Sequence, residues 1–213
     1  MMKENKRTLI ITSIITILPV FIGLFLWNRL PDTMATHFGF DNKADGFSSK
    51  GFAVVGVPLI LLSIEWVGAI ATSHDPKKNN ISQKMFSFVL WIIPLLSLTV
   101  TSAMYSYNLG YETDMVFISG LIMGMVFVIV GNYLPKARQN FTIGIKIPWT
   151  LANEENWNHT HRLAGFMWVL GGILMIIGTL TGLMQETVMG VVVIVMVLIP
   201  CIYSYYLHVV KKL

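Results

Sequence analysis

"MVFISGLIMGMVFVIVGNYLP", from Met115 to Pro135, runs for about 20 residues without an Asp, Glu, Lys or Arg. A helix of that length rises roughly 30 Å, the thickness of a bilayer's hydrocarbon core. Similar uncharged runs extend from Thr8 to Asn28, Met85 to Tyr111, Leu163 to Gln185 and Thr187 to Leu207. A shorter one, Phe52 to Ile64, is interrupted by Glu65 and resumes through Trp66 to Thr72. Across the chain 54% of residues are hydrophobic and 12% charged, against about 25% charged in soluble domains. Mean hydropathy is +0.66. The reading is an all-α integral membrane protein of six transmembrane helices. A β-barrel is excluded because barrel strands alternate apolar and polar residues, whereas these runs are solidly apolar.

The first run follows a basic start, Lys3, Lys6 and Arg7. It exceeds the about 7–15 apolar residues of a secretory signal, and no A-x-A site follows it. It reads as a retained first span. Lys and Arg placement then predicts orientation. With the N-terminus inside, the inner segments hold twelve of the fifteen Lys and Arg residues, and the outer ones only Arg29, Lys43 and Lys50. Both termini are therefore expected in the cytoplasm. The net charge of +4 is that topological bias, so direct nucleic-acid binding is not expected. The single cysteine, Cys201, lies in the sixth span, where it forms no intramolecular disulfide and an apolar setting leaves the thiol inert.

Two segments between spans are long enough to carry structure. The outer one, Arg29 to Gly51, combines aromatic and acidic residues: His37, Phe38, Phe40, Asp41, Asp45 and Phe47. His37, Phe38, Asp41 and Asp45 are candidate contacts for an external basic or amphipathic peptide. The competing reading is a compact hairpin whose Phe40 and Phe47 cap the bundle. Asp41 and Asp45 alone lack the ligand density of a calcium loop.

The inner segment, Lys136 to Arg162, contains "IGIKIPWTLANEENWNHTHRLAG", Ile143 to Gly165. Pro148 keeps Ile147 out of the helical region, and Thr150 is an N-cap candidate. Glu154 and Glu155 fall early in the next helix, where carboxylates oppose its dipole. Trp149 and Trp157 suit the headgroup layer. The expectation is a short interfacial helix before the fifth span, with Gly144 permitting the preceding bend. Glu154, Glu155, His161 and Arg162 either tie it to spans four and five or face a cytosolic partner.

Catalytic and metal chemistry find little support. His159 and His161 are two apart, so on a helix they point about 200° apart and cannot share a metal. No nucleophile has a base at workable spacing, and no cofactor is implied. Glu65, about 20 Å into its span, has two open readings. It is an intramembrane functional carboxylate, or it is neutralised by a proton or by a donor such as Asn132. Small residues at Gly120, Gly124 and Gly131 on span four, and at Ala164, Gly171, Gly178 and Gly182 on span five, predict that these helices pack closely.

The stretch "GNYLPKARQNFTIGIKIPWTLANEENWNHTHRLAG" resembles the signature of the SdpI family of bacterial membrane proteins. The matching positions are Gly131, Asn132, Asn140, Ile143, Gly144, Ile145, Pro148, Trp149, Thr150, Leu151, Glu154, Trp157, Thr160, His161, Arg162, Ala164 and Gly165. "LPDTMATHFGFDNKADGFSSKG", from Leu30, is similar to the domain of unknown function DUF1648 often fused to such proteins. The resemblance implies residues 1–72 as a DUF1648-like segment with outer loop 31–51, residues 73–114 as span three with its links, and residues 115–213 as an SdpI-like domain with inner loop 135–162. It further implies immunity to a secreted toxic peptide, in the bacterial cell membrane. It also implies signalling in which a small helix-turn-helix autorepressor is held at the membrane. The competing classes are a small-solute or ion transporter using Glu65, and a membrane enzyme or assembly factor.

Overall fold

The computed structural model describes residues 1–39, 41–183 and 186–213; Phe40 lies outside them. Among the described residues, six helices are long and apolar enough to cross a membrane. They are α1 (Lys6–Phe25), α2 (Val57–Ser73, continuing a π-helical turn Phe52–Gly56), α3 (Gln83–Asn108), α4 (Met115–Tyr133), α6 (Glu154–Thr181) and α7 (Glu186–Val210). The outer segment forms an antiparallel hairpin, β1 (Thr33–Phe38) and β2 (Ala44–Ser49), and a short helix, α5 (Pro148–Ala152), precedes α6. This is a multi-pass membrane protein.

The chain forms two compact units. The first comprises Met1–Ser73 and Phe86–Ile118; the second comprises His74–Met85 and Ser119–Leu213.

In the first unit, α1 buries Leu9, Thr12, Thr16, Pro19 and Gly23, a three-four spacing that marks one helix face. That face is mostly small or polar, while Ile14, Phe21 and Phe25 of the same helix are exposed. Such an arrangement suits a lipid solvent, where tight backbone approach and polar contacts hold helices together. Pro19 cannot donate to the turn before it. Nearby α1 carbonyls instead take hydroxyl bonds, Thr16 O from Ser97 Oγ at 2.8 Å and Pro19 O from Tyr105 OH at 3.0 Å.

The hairpin is fastened from α3. Asn108 Oδ1 accepts from the Ala35 N–H at 2.8 Å, and Asn108 Nδ2 donates to Ala35 O at 2.9 Å. Below it lies an apolar cluster of Leu30, Met34, Ala53, Val54, Met104 and Tyr105. The ladder is irregular on both sides of His37. Phe38 packs edge-on against Tyr107, with centroids 4.6 Å apart. Phe47 is 61% exposed, so it does not cap the bundle.

In the second unit α4 and α6 meet through glycine. A Cβ on Gly124 would lie 2.9 Å from Gly172 O, and one on Gly131 would lie 3.0 Å from Gly165 O. Close packing of spans four and five is therefore observed, but the α6 face is Gly165 and Gly172. Gly171 instead abuts Met196 of α7, and Gly182 caps α6 in the left-handed conformation at φ 69°. The i, i+7 series on span five was read one residue, about 100°, off the contact face.

Candidate functional site

Residues 136–162 fold into a polar knot in the second unit. The fourth helix ends in a tight turn at Leu134–Lys136, and the chain then extends to α5. Asn140, almost fully buried, organises the turn. Its Oδ1 accepts from the N–H groups of Thr142 (2.9 Å) and Ile143 (2.6 Å), while Nδ2 donates to Arg138 O (2.8 Å) and Ile143 O (2.9 Å). Gly144 follows at φ 124°, a conformation that L side chains rarely adopt. Any Cβ there would collide with His161 Nε2 and lie 2.9 Å from the Trp157 ring.

Pro148 begins α5 and Ile147 is extended (φ −113°, ψ 159°), as expected of a residue before proline. Thr150 is not an N-cap. It sits inside α5, where its Oγ1 accepts from the Ile147 N–H at 3.1 Å and donates to Ile145 O at 2.7 Å. The cap of α6 is Asn153, whose Oδ1 accepts from the N–H groups of Glu155 (2.8 Å) and Asn156 (3.0 Å). Glu154 and Glu155 occupy the first turn and are exposed.

Trp157 is not a headgroup anchor. It is 0% exposed, its indole N–H donates to Ala137 O at 2.7 Å, and its ring stacks on His161 with centroids 3.9 Å apart. His161 accepts at Nε2 from the Ile145 N–H (2.9 Å) and donates from Nδ1 to Trp157 O (2.8 Å). Those two bonds fix the neutral Nδ1–H tautomer. His161 is thus part of the knot's interior, while Arg162 is exposed. His159 is also exposed, with Nε2 3.7 Å from Glu155 Oε1. Trp149 is half-buried, edge-on to Tyr205 with centroids 5.0 Å apart.

Several residues that the sequence did not single out complete the knot. Asp75 Oδ2 accepts from the Phe141 N–H (2.8 Å) and Thr142 Oγ1 (2.9 Å). Gln139 Nε2 donates to Thr150 O at 2.7 Å, and its Oε1 accepts from Lys77 Nζ. Asn156 donates from Nδ2 to Ser204 O (3.0 Å) and accepts at Oδ1 from Ser204 Oγ (2.6 Å), joining α6 to α7. Only "DPKK" at residues 75–78, a turn-forming pair within the link, hinted at Asp75.

The other candidates lie elsewhere. His37 Nδ1 and Asp45 Oδ1 are 2.5 Å apart on the exposed hairpin, and Asp41 Oδ2 is 3.5 Å from Lys43 Nζ. Glu65 is 3% exposed in the first unit. Its Oε2 accepts from Thr16 Oγ1 at 2.7 Å, and its Oε1 has no partner among the described residues. The donor is therefore an α1 threonine, and Asn132 is exposed. Among the described residues no three His, Cys, Asp or Glu side chains converge as a metal set.

Residues 136–204, which hold the inner segment, α5, α6 and most of α7, match the SdpI/YfhL protein family; Asp75 and Lys77 of the knot lie outside the match. Residues 14–62 match the Domain of unknown function (DUF1648). The chain is 29% identical over 217 residues to "Immunity protein SdpI" of Bacillus subtilis (strain 168), covering 100% of this chain and 98% of that protein. No solved structure matches. Over residues 136–204 the chain is thus similar to the SdpI/YfhL family, and over residues 14–62 to DUF1648.

Proposed function

We propose that this protein is a non-enzymatic immunity protein of the bacterial cell membrane, protecting its host from a secreted antimicrobial peptide. The observation that carries the reading is end-to-end similarity to a protein named for immunity. The twelve-to-three distribution of Lys and Arg supports cytoplasmic termini, which puts the knot inside and the hairpin outside. On that orientation His37, Phe38, Asp41 and Asp45 face the peptide. The exposed Glu154, Glu155, His159 and Arg162 surround the mouth of α6, where a small repressor docks. Peptide binding outside shifts packing between states that differ in contact with the repressor, as any such coupling requires.

The test expresses the chain in a peptide-sensitive strain and measures survival across peptide concentrations. Wild type protects. His37→Ala with Asp41→Ala lowers the tolerated concentration about tenfold, the equivalent of roughly 1.4 kcal/mol of binding, at unchanged membrane levels. Glu155→Lys keeps protection but abolishes co-purification of the repressor. Absence of protection by wild type at full membrane abundance overturns the reading.

One observation favours a second function, the Oε1 of buried Glu65, which has no partner among the described residues, since intramembrane carboxylates mark ion or proton sites. Under that reading Glu65→Gln abolishes pH-dependent ion flux in proteoliposomes while Thr16 still holds the amide oxygen. Proteoliposomes whose flux is the same with Glu65→Gln as with wild type eliminate it.

A further inference from the structure

We propose that a cavity in the second unit holds the phosphate of an anionic phospholipid headgroup. The cavity has a volume of about 350 Å³ and lies between residues 79–85 and 136–140. That size is within the range of small-molecule sites, about 300–1,000 Å³. Its wall includes Asn79, Asn80, Ser82, Lys136 and Arg138, with Met85 as an apolar side, and no acidic residue lines it.

Three independent features favour a phosphate there. Arg138 is exposed, and no carboxylate pairs with it among the described residues. Lys136 lies beside it, its ammonium 5.0 Å from the Tyr133 ring centroid. Ser82 opens the 26-residue α3, its Oγ accepting from the Met85 N–H at 3.2 Å. Ser82 and Met85 both line the cavity, so the positive end of a long helix dipole borders it, and an anion fits that end.

Position favours a lipid source over free phosphate. The third span begins at Gln83 and the fourth ends at Lys136, so the cavity sits where hydrocarbon gives way to headgroups. Met85 leads from it along the apolar start of α3. Basic pockets at this depth hold anionic headgroups. Two lining residues are already bonded, Asn80 Nδ2 donating to Gln139 O at 2.8 Å and Asn140 within its own turn.

The test is native mass spectrometry of the full chain released from nanodiscs of phosphatidylcholine, alone or mixed with phosphatidylglycerol. Wild type should retain phosphatidylglycerol in preference to phosphatidylcholine. Lys136→Ala with Arg138→Ala should cut that retention about tenfold or more, given the strength of each basic contact near a membrane surface. Lys84→Ala, an exposed cation outside the cavity, should leave it unchanged. Equal retention of both lipids, no loss in the double variant, or equal loss with Lys84→Ala overturns the proposal. Displacement of the lipid by added inorganic phosphate overturns the lipid assignment and leaves a free-phosphate site.

Discussion

Gly144→Val should be the most damaging single substitution in the C-terminal unit, lowering stability by about 2–6 kcal/mol. Two costs add. The backbone at φ 124° is nearly closed to a β-branched residue, which costs on the order of 1–3 kcal/mol. The new side chain would also overlap the stacked pair of Trp157 and His161, and overpacking a filled interior costs roughly 1–3 kcal/mol more. Gly110 supplies the control. It too has positive φ, 86°, but a Cβ there meets nothing within 4 Å. Gly110→Val should therefore cost only the strain. Thermal unfolding of both variants in detergent checks the difference, and equal midpoints would show that crowding at the knot is not the cause.

Asn140→Ala should follow at about 3–4 kcal/mol. At 1% exposure its amide satisfies two backbone N–H groups and two carbonyls. Alanine leaves them in an interior that admits little water, and each unsatisfied buried group costs roughly 1–3 kcal/mol. Relaxation toward Asp75 and Thr142 recovers part of that. The expected readout is a lower unfolding midpoint together with faster proteolysis near residues 138–143, where the turn opens. An unchanged midpoint would mean the turn is held by the chain ends alone.

The spans were legible because the bilayer imposes one requirement, some 20 residues with no charge and every backbone bond made internally. The knot was legible as a place but not as an arrangement. Pro148 announced the break before α5 by its own stereochemistry, and Glu154 and Glu155 marked the start of α6. Composition points Trp157 to the headgroup layer and leaves His161 open between a tie to spans four and five and a cytosolic partner, because an indole and an imidazole are both amphipathic. Their burial depends on Ala137 O and the Ile145 N–H, partners that only the folded chain supplies. Asp75 escaped notice because its bonds to Phe141 and Thr142 reach across 66 and 67 positions. Glu65 stood out from its setting, yet its donor Thr16 is 49 positions away. Period and composition report local geometry; pairing across the fold does not show in them.

On the proposed orientation the hairpin meets the outside and the knot faces the cytoplasm. Cysteine accessibility in intact cells reads this directly, and the chain is well suited because Cys201 is its one native cysteine. In a Cys201→Ser background, Lys43→Cys on the hairpin and Glu155→Cys at the mouth of α6 each place a thiol at an exposed position. A membrane-impermeant maleimide should label Lys43→Cys in intact cells, and Glu155→Cys only after permeabilisation. Labelling of Glu155→Cys in intact cells, with Lys43→Cys protected, would contradict the account.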